Sequence, residues 1–293
     1  MDGLPTDRPA FSFWRHCAAE DHFGARKVEA HRRFYEQTGV DFIKMMIDGY
    51  RDPTGGFAIG CPEDWLRLPL PGPESGFFTQ QTALISKMAD AIHGEAPVFY
   101  HAFSPFSLMR MIWGHELVFA HLKDPGARPM LLQGLERLGG WQAEAVARYL
   151  RGTGAAGIML TLSGAERGLL TEEEHAQYVR PSDLAALDAA NGESRYNILH
   201  LCGWGPRPNV LERWRDYPAA TVDVDIEADG IDLAAWRTLF PAARSLMGGL
   251  GTDPGSPLYT GTRRTLERQI RACMAAAGPD GYLVGAGNSF PPE

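Results

Sequence analysis

The chain has 293 residues, a formal net charge of −8 at pH 7, and a composition that is 44% hydrophobic and 22% charged. These values fit one large soluble domain. The lack of a basic tract disfavours nucleic acid as a partner. No apolar run approaches the ~20 residues that a membrane span needs. The first eight residues carry no apolar signal-peptide core and the four cysteines show no framework spacing, so we expect a cytoplasmic protein with reduced thiols.

Eight apolar segments that are typical of strands alternate with amphipathic segments that are typical of helices. The predicted strands cover residues 10–14, 40–46, 98–102, 156–162, 196–201, 221–226, 244–247 and 282–284. The predicted helices cover residues 25–37, 79–92, 131–150, 182–190, 233–240 and 260–277.

This alternation predicts a parallel sheet, and eight units predict a single α/β domain over residues 1–293, a closed (β/α)8 TIM barrel. Residues 47–78, after the second predicted strand, form one long insertion that contains Cys61. A loop of this length in a compact domain is often a lid or a binding loop, and we expect it to close over the barrel mouth.

Polar and aromatic residues stand at the ends of the predicted strands, where barrels of this kind hold their active sites. We predict catalytic roles for Arg15, Asp48, Lys44 and Tyr100. Considered singly, each has a structural explanation: Arg15 as a partner of Asp41 or Asp48, Lys44 as a solvated charge, and Tyr100 as core. We predict substrate contacts for seven further residues: Trp14, His16, Tyr50, Phe103, Ser104, Ser163 and Asn288.

His200 and Cys202 are the most informative pair, at the end of the fifth predicted strand and just before a loop at 204–206. Side chains two residues apart in a strand point to the same face, so imidazole and thiolate are able to hold one metal ion, zinc above all. Asp223 and Asp225 on the next predicted strand share the same spacing and are candidates for a further ligand. The alternative is a buried cysteine beside a hydrogen-bonded histidine.

Four segments together resemble the uroporphyrinogen decarboxylase superfamily, which includes zinc-dependent corrinoid and thiol methyltransferases. The segments are residues 7–15, residues 103–108, residues 247–250 followed by 258–262, and residues 285–291. Their order over nearly the whole chain makes the resemblance fairly specific. It implies a (β/α)8 barrel that is often dimeric.

The decarboxylase branch of this superfamily holds substrate carboxylates with an N-terminal arginine motif and uses an aspartate after strand two. Arg15 matches the first arginine, and Asp48 matches the aspartate. The second arginine is missing, and Glu20 and Asp21 stand in that region, where like charge repels a polycarboxylate. The resemblance therefore leaves, as an alternative, a metal-independent decarboxylase that acts on uroporphyrinogen or another carboxylated substrate.

The methyltransferase branch carries His-x-Cys on strand five, which His200 and Cys202 match, and a further cysteine near the end, where this chain has Asn288. Asp223 or Asp225 could supply the third zinc ligand and a substrate thiol the fourth, since zinc keeps a bound thiol as thiolate. Arg15 or Lys44 would offset the negative charge.

The favoured hypothesis is therefore zinc-assisted transfer of a methyl or alkyl group to or from sulfur. A corrinoid or another methyl donor, and a corrinoid protein as partner, are implied by the resemblance. A non-catalytic binding barrel is the third and least favoured interpretation, because ionisable residues are numerous at the predicted mouth.

Overall fold

Parallel strands form the centre of the computed structural model, which describes residues 7–92, 94–203, 207–278 and 280–290. The loop at 204–206 and Pro291 lie outside these ranges. The strands are β1 (Ile43–Met45), β2 (Val98–Phe103), β3 (Gly157–Leu162), β4 (Ile198–Leu201), β5 (Thr221–Val224), β6 (Ser245–Leu250) and β7 (Tyr282–Ala286). They form one seven-stranded sheet in chain order, which is a TIM-like α/β arrangement.

Helices connect these strands. They are α1 (Gly24–Thr38), α2 (Gly76–Ala91), α3 (Pro105–Trp113), α4 (His115–Lys123), α5 (Arg128–Leu150), α6 (Glu172–Glu174), α7 (Arg180–Glu193), α8 (Ile226–Asp229), α9 (Trp236–Leu239), α10 (Pro257–Thr260) and α11 (Arg263–Ala277). Short 3₁₀ or π turns accompany them at Ala19–Asp21, Pro62–Arg67, His175–Val179, Leu211–Trp214 and Leu233–Ala235. In the described part of the chain, none of the helices has the length and apolar character that crossing a membrane requires.

The first predicted strand, at residues 10–14, is not a regular strand in the structure. Phe11 forms an isolated parallel bridge with Val284, and Arg15 forms another with Phe290. On the other side, Phe11 accepts a hydrogen bond from the Asp41 amide. The Ser12 hydroxyl then donates to the Phe42 carbonyl, so that this oxygen bonds a side chain rather than a backbone amide. The segment therefore connects β7 to the chain just before β1 without a continuous ladder.

The other seven predicted strands are present with shifted ends. Residues 40–42 stand before β1, which is only three residues long. Strand β6 continues through Gly248 and Gly249 to Leu250, beyond the predicted end at residue 247. A side chain at Gly248 would meet the Val224 carbonyl at 2.6 Å, so glycine permits the close approach that extends the strand.

The long segment after β1 packs against helices. Helix α2 begins at Gly76, before the predicted end of the insertion at residue 78. Trp65, in the 3₁₀ turn Pro62–Arg67, is fully buried, and its indole donates to His121 of α4 at 2.9 Å. A Cβ at Gly134 of α5 would lie 2.9 Å from the Trp65 carbonyl, which shows how closely the two backbones meet. The role of this segment as a lid stays a prediction.

The inner face of the sheet carries an apolar cluster with polar residues beyond it. The cluster is formed by Trp14, Phe42, Met46, Phe99, Met159, Ile198, Met247 and Leu283. Along β3, β4 and β5, Thr161 pairs in register with His200, and His200 pairs with Asp223. Because Thr161 and His200 follow Met159 and Ile198 by two residues, they face the same side and lie nearer the carboxyl ends of the strands.

Candidate active site at the carboxyl ends of the strands

A buried histidine–carboxylate pair lies at the centre of the site. His200 Nδ1 is 2.5 Å from Asp223 Oδ2, and both side chains are buried. Burial alone would lower the pKa of His200, but the hydrogen bonds with Asp223 and Cys202 and the charge of Asp223 together outweigh it and raise that pKa to about 9. Burial raises the pKa of Asp223, while the same hydrogen bond acts in the opposite direction. The Asp223 contact engages Nδ1, and because a pKa of about 9 keeps the ring protonated at neutral pH, Nε2 would have to release its proton before it bound a metal ion.

Cys202 lies on the same face as His200, two residues further along the chain. Its thiol is half-buried, interacts with the His200 ring, and lies 3.7 Å from the Gly203 carbonyl. The sequence prediction that these two side chains come together therefore agrees with the geometry. Together they offer one imidazole nitrogen and one sulfur.

A buried cation lies beside this pair. Lys44 of β1 is only 3% exposed, and its Nζ is 4.4 Å from the centre of the Trp14 ring. The Trp14 ring in turn lies 5.9 Å from the His200 ring, edge to face. Burial lowers the pKa of Lys44 to about 8, although the Asp223 carboxylate acts in the opposite direction. Among the residues that the structure describes, no acceptor is hydrogen-bonded to this ammonium.

Asp48 and His16 form the rim next to the N-terminal segment. Asp48 Oδ1 is 2.6 Å from His16 Nδ1, and Oδ2 accepts from the Cys17 amide at 2.8 Å. Burial raises the pKa of Asp48, but the two hydrogen bonds outweigh it and hold that pKa below its usual value. Lys27 donates to the Asp48 backbone carbonyl at 2.8 Å, which further fixes this turn.

Asp225 lies at the end of β5, where it begins helix α8. Its Oδ1 accepts from the Ala228 amide at 3.0 Å, so the carboxylate serves as a helix cap. A Cβ at Gly287 would come within 2.4 Å of Asp225 Oδ2, which brings the closing segment directly against this carboxylate. Asn288, next along that segment, is exposed and accepts a hydrogen bond from the Ser289 amide. No group of three or more His, Cys, Asp or Glu side chains able to hold a metal ion occurs within the described ranges.

Arg15 lies away from the His200 pair. Its guanidinium is 5.6 Å from the centre of the Phe34 ring of α1. The two carboxylates considered as its partners are bonded elsewhere: Asp41 pairs with Arg8 at 2.6 Å, and Asp48 pairs with His16. Arg15 lines a cavity between the N-terminal segment, α1 and β1.

Tyr100 was predicted at the mouth but lies on the outer face of the sheet. Its hydroxyl accepts from Gln81 of α2 at 2.8 Å, and its ring is 4.9 Å from that of Tyr149 of α5. Burial raises its pKa. Tyr50 is half-buried beside the helices, and burial also raises its pKa. The assignment of Tyr100 to the mouth is corrected, because alternation along β2 turns Tyr100 outward when its neighbour His101 turns inward.

Two predicted substrate-binding serines are part of a buried hydroxyl chain. Ser104 caps α3 and its hydroxyl is 3.1 Å from that of Ser107, and the Ser107 hydroxyl is 2.9 Å from that of Ser163. All three side chains are fully buried. Since their hydroxyls bond one another, the structure gives them a role in packing α3 against β3 rather than a position beside His200.

His101 and Thr161 belong to the site although they were not predicted. His101 Nε2 is 2.8 Å from Thr161 Oγ1, while the buried Nδ1 has no hydrogen-bond partner in the described structure. Burial and the nearby charge of Lys44 lower the pKa of His101 well below its usual value. The predicted substrate contact Phe103 stacks 5.0 Å from the His101 ring. Thr161 could be identified only from its register with His200, and a single sequence does not reveal that register.

The sequence model of the uroporphyrinogen decarboxylase (URO-D) family matches residues 53–293, which is most of the chain. The chain belongs to the uroporphyrinogen decarboxylase family. This membership confirms the resemblance that the sequence motifs indicated. It indicates an enzyme of the URO-D-like kind and leaves the particular reaction open.

Solved structures similar to this member of the family confirm the TIM-like fold. A methyltransferase from Methanosarcina mazei is 13% identical, the match covers 98% of this chain and 89% of that chain, and the TM-score is 0.75. A GH5_18 protein from Streptomyces cattleya in complex with GlcNAc is 12% identical, with 95% and 70% covered and a TM-score of 0.53. At these identities the likeness concerns the fold alone. The comparison with curated proteins found no match.

Proposed function

We propose that this chain transfers a methyl or other alkyl group to or from sulfur, with a zinc ion held by His200 and Cys202. The observation that carries the proposal is the 2.5 Å contact between His200 Nδ1 and Asp223, with the Cys202 thiol on the same face. The fold likeness to the Methanosarcina mazei methyltransferase is compatible with this reaction.

The side chains at this site meet part of what a zinc ion requires. A metal-binding imidazole usually donates its other N–H to a carboxylate, and Asp223 is in position for that role. Asp223 therefore acts in this proposal by orienting His200, in place of the ligand role that the sequence suggested. With Nε2 and the Cys202 sulfur, the chain fits two positions of a tetrahedral zinc site. Asp225 remains the candidate for a third donor, although its Oδ1 already caps α8.

The charges around these ligands favour a thiolate substrate. Bound zinc would keep a substrate thiol as thiolate, the form of sulfur that attacks an alkyl group. Two thiolates, from Cys202 and the substrate, would balance the charge of the ion. Lys44 and Asp223 would then balance each other, so that no net charge is left buried. Trp14 and the apolar inner cluster exclude water from the innermost side of the site.

The methyl donor follows from family resemblance alone. A corrinoid, carried by a corrinoid protein that docks at the mouth, is the donor class we propose. A homodimer is proposed on the same basis.

Metal content of protein purified without added metal tests the zinc proposal. We expect about one zinc ion per chain, and we expect Cys202→Ser and His200→Gln to lose most of it. Cys61→Ser is the matched control, because Cys61 is exposed in the segment after β1 and should retain the metal. Zinc-free wild-type protein, or zinc that survives both site substitutions, would refute the proposal.

A second candidate function is decarboxylation, which the family match favours. In this alternative Arg15 binds a substrate carboxylate. Asp48, which the His16 contact keeps ionised, stabilises positive charge on a protonated pyrrole. Incubation with uroporphyrinogen would then release carbon dioxide, and Arg15→Ala would abolish the release without unfolding the protein. Failure of the wild-type protein to release carbon dioxide would remove this candidate.

A further inference from the structure

A cavity of about 220 Å³ opens in the barrel wall between the N-terminal segment, α1 and β1. The Ser12 hydroxyl donates to the Phe42 carbonyl where the two segments still meet. Further along, the Met46 amide donates to His31 Nε2 of α1 at 2.9 Å, so a side chain satisfies an amide that a neighbouring strand would satisfy in a continuous sheet. The volume of the cavity is below the ~300–1,000 Å³ of pockets for drug-sized ligands, so it suits a smaller molecule.

Three aromatic side chains line this cavity: Phe13, Trp14 and Phe34. The arginines of the lining already have partners. Arg33 is 3.4 Å from Asp21, and the Arg15 guanidinium lies 5.6 Å from the centre of the Phe34 ring. These charges therefore do not call for an anion, whereas the rings offer apolar surface to a small uncharged molecule.

Lys44 places an amine in this lining, with its Nζ against the face of the Trp14 ring. Burial lowers the pKa of Lys44 to about 8, although the charges of Asp223, Cys202 and Asp48 act in the opposite direction. The ammonium therefore has counter-charges nearby, but no acceptor in the described part of the chain holds it by a hydrogen bond. Buried lysines of this kind are the ones that proteins use as nucleophiles.

Lys27 of α1 provides a contrast within the same chain. It is also buried, and burial lowers its pKa to about 8 as well. Its Nζ, however, donates to the Asp48 carbonyl at 2.8 Å, and Lys27 lies outside the lining of the cavity. The cavity and the lack of a hydrogen bond therefore distinguish Lys44 from Lys27.

We propose that Lys44 forms an imine with a small uncharged ketone or aldehyde that enters this cavity, with the apolar part of that molecule against Phe13 and Phe34. The amine attacks the carbonyl carbon and forms a C–N bond, and the C–O bond then breaks. Two of the three ammonium protons leave with the carbonyl oxygen as water, and the third stays on the iminium nitrogen.

The charge of the site is the same before and after this reaction. The iminium carries one positive charge, as the ammonium does, so its balance with Asp223 is unchanged. Imine formation needs neither zinc nor a thiol. Its success or failure is therefore measured separately from the alkyl transfer proposed above.

Reductive trapping with acetone and sodium cyanoborohydride tests the proposal on the full-length protein, because the hydride converts the iminium to a stable isopropyl-lysine. Peptide mass spectrometry then locates the label among the four lysines of the chain, which are Lys27, Lys44, Lys87 and Lys123. At about pH 7.5 we expect Lys44 to be labelled at least about tenfold faster than the exposed Lys87 and Lys123, since a desolvated amine is more often neutral than one in water.

Lys27 is the internal control for burial. We expect its labelling to be no faster than that of the exposed lysines, because it is hydrogen-bonded and lies away from the cavity. Labelling of Lys27 at the rate of Lys44, or labelling of Lys44 no faster than that of Lys87 and Lys123, would overturn the proposal.

A variant that fills the cavity locates the route of entry. Ala30→Phe occupies the cavity from α1 and leaves Lys44 in place, so we expect it to slow the labelling of Lys44 by at least about tenfold. Ala25→Phe is the matched control, since Ala25 is exposed on the same helix and lies outside the lining. The comparison of Lys44 with Lys27 needs no variant, so the test stays decisive if Ala30→Phe fails to fold. Unchanged labelling in Ala30→Phe, or an equal loss in Ala25→Phe, would contradict entry through this cavity.

Discussion

Asp183 provides a quantitative test of the buried polar network beneath α3. Its carboxyl is fully buried on α7, where it accepts a hydrogen bond from Tyr217 at 3.3 Å. Burial raises the pKa of Asp183 from 3.8 to about 7, although hydrogen bonds from Ser104 and Tyr217 act in the opposite direction. The folded protein therefore keeps this proton over a pH range in which the unfolded chain has released it.

The sign and size of the effect follow from this difference in pKa. Between pH 4 and 7 the folded state binds more protons at Asp183 than the unfolded state, so rising pH lowers the free energy of unfolding. The gap between 3.8 and about 7, at 1.36 kcal/mol per pH unit, corresponds to about 4 kcal/mol. The loss is complete about one pH unit above the folded-state pKa, near pH 8, and stays constant beyond it.

Asp183→Asn removes this titration and keeps the shape of the side chain. We expect the free energy of unfolding of the variant, relative to wild type, to increase by about 4 kcal/mol between pH 4 and pH 8. Urea denaturation at each pH measures the difference. Asp188→Asn is the matched control, because Asp188 is exposed on the same helix and its substitution should give a constant difference. A constant difference for Asp183→Asn as well would refute the reasoning.

Three further substitutions test other parts of the structure by denaturation. Arg110→Met should lower the free energy of unfolding by about 3–5 kcal/mol, because it leaves Glu166, 2.7 Å away and fully buried, without its ion-pair partner. If Arg110→Met lowered this free energy by less than half as much as Glu166→Gln does, the two residues would not depend on each other as a pair. Tyr100→Phe should keep the zinc and lose only about 1 kcal/mol, the value of one hydrogen bond, and loss of zinc would return this residue to the site. Gly287→Ala should cost about 1–3 kcal/mol, because its Cβ would overlap the carboxylate that caps α8, whereas Gly140→Ala, with open space around it, should cost nothing.

The sequence predicted the parallel sheet well, because strands β2 to β7 are mostly apolar segments with clear breaks between them. Helices α3 and α4 were not predicted. Six of the nine residues of α3 are buried, so it lacks the polar face that marks an amphipathic helix. The start of α3 could nevertheless have been predicted, since Ser104 is a typical N-cap residue and Pro105 occupies the first turn of the helix.

The candidate site was predictable where spacing decides the geometry. His200 and Cys202 share a face because they are two residues apart, and the same rule applied to β2 would have chosen His101 over Tyr100. The Asp223 contact depends on the register between β4 and β5, which a single sequence does not contain. The burial of Ser104 and Ser163 depends likewise on how α3 packs, which a single sequence does not contain, and their role as substrate contacts stays a prediction.

X-ray absorption at the zinc edge, recorded before and after addition of 2-mercaptoethanol, tests the central claim most directly. We expect about one sulfur and one imidazole nitrogen on the ion before addition, from Cys202 and His200, and about two sulfurs afterwards. A sulfur count that stays at about one after addition, or a zinc ion without sulfur in the resting protein, would contradict thiol activation at this site.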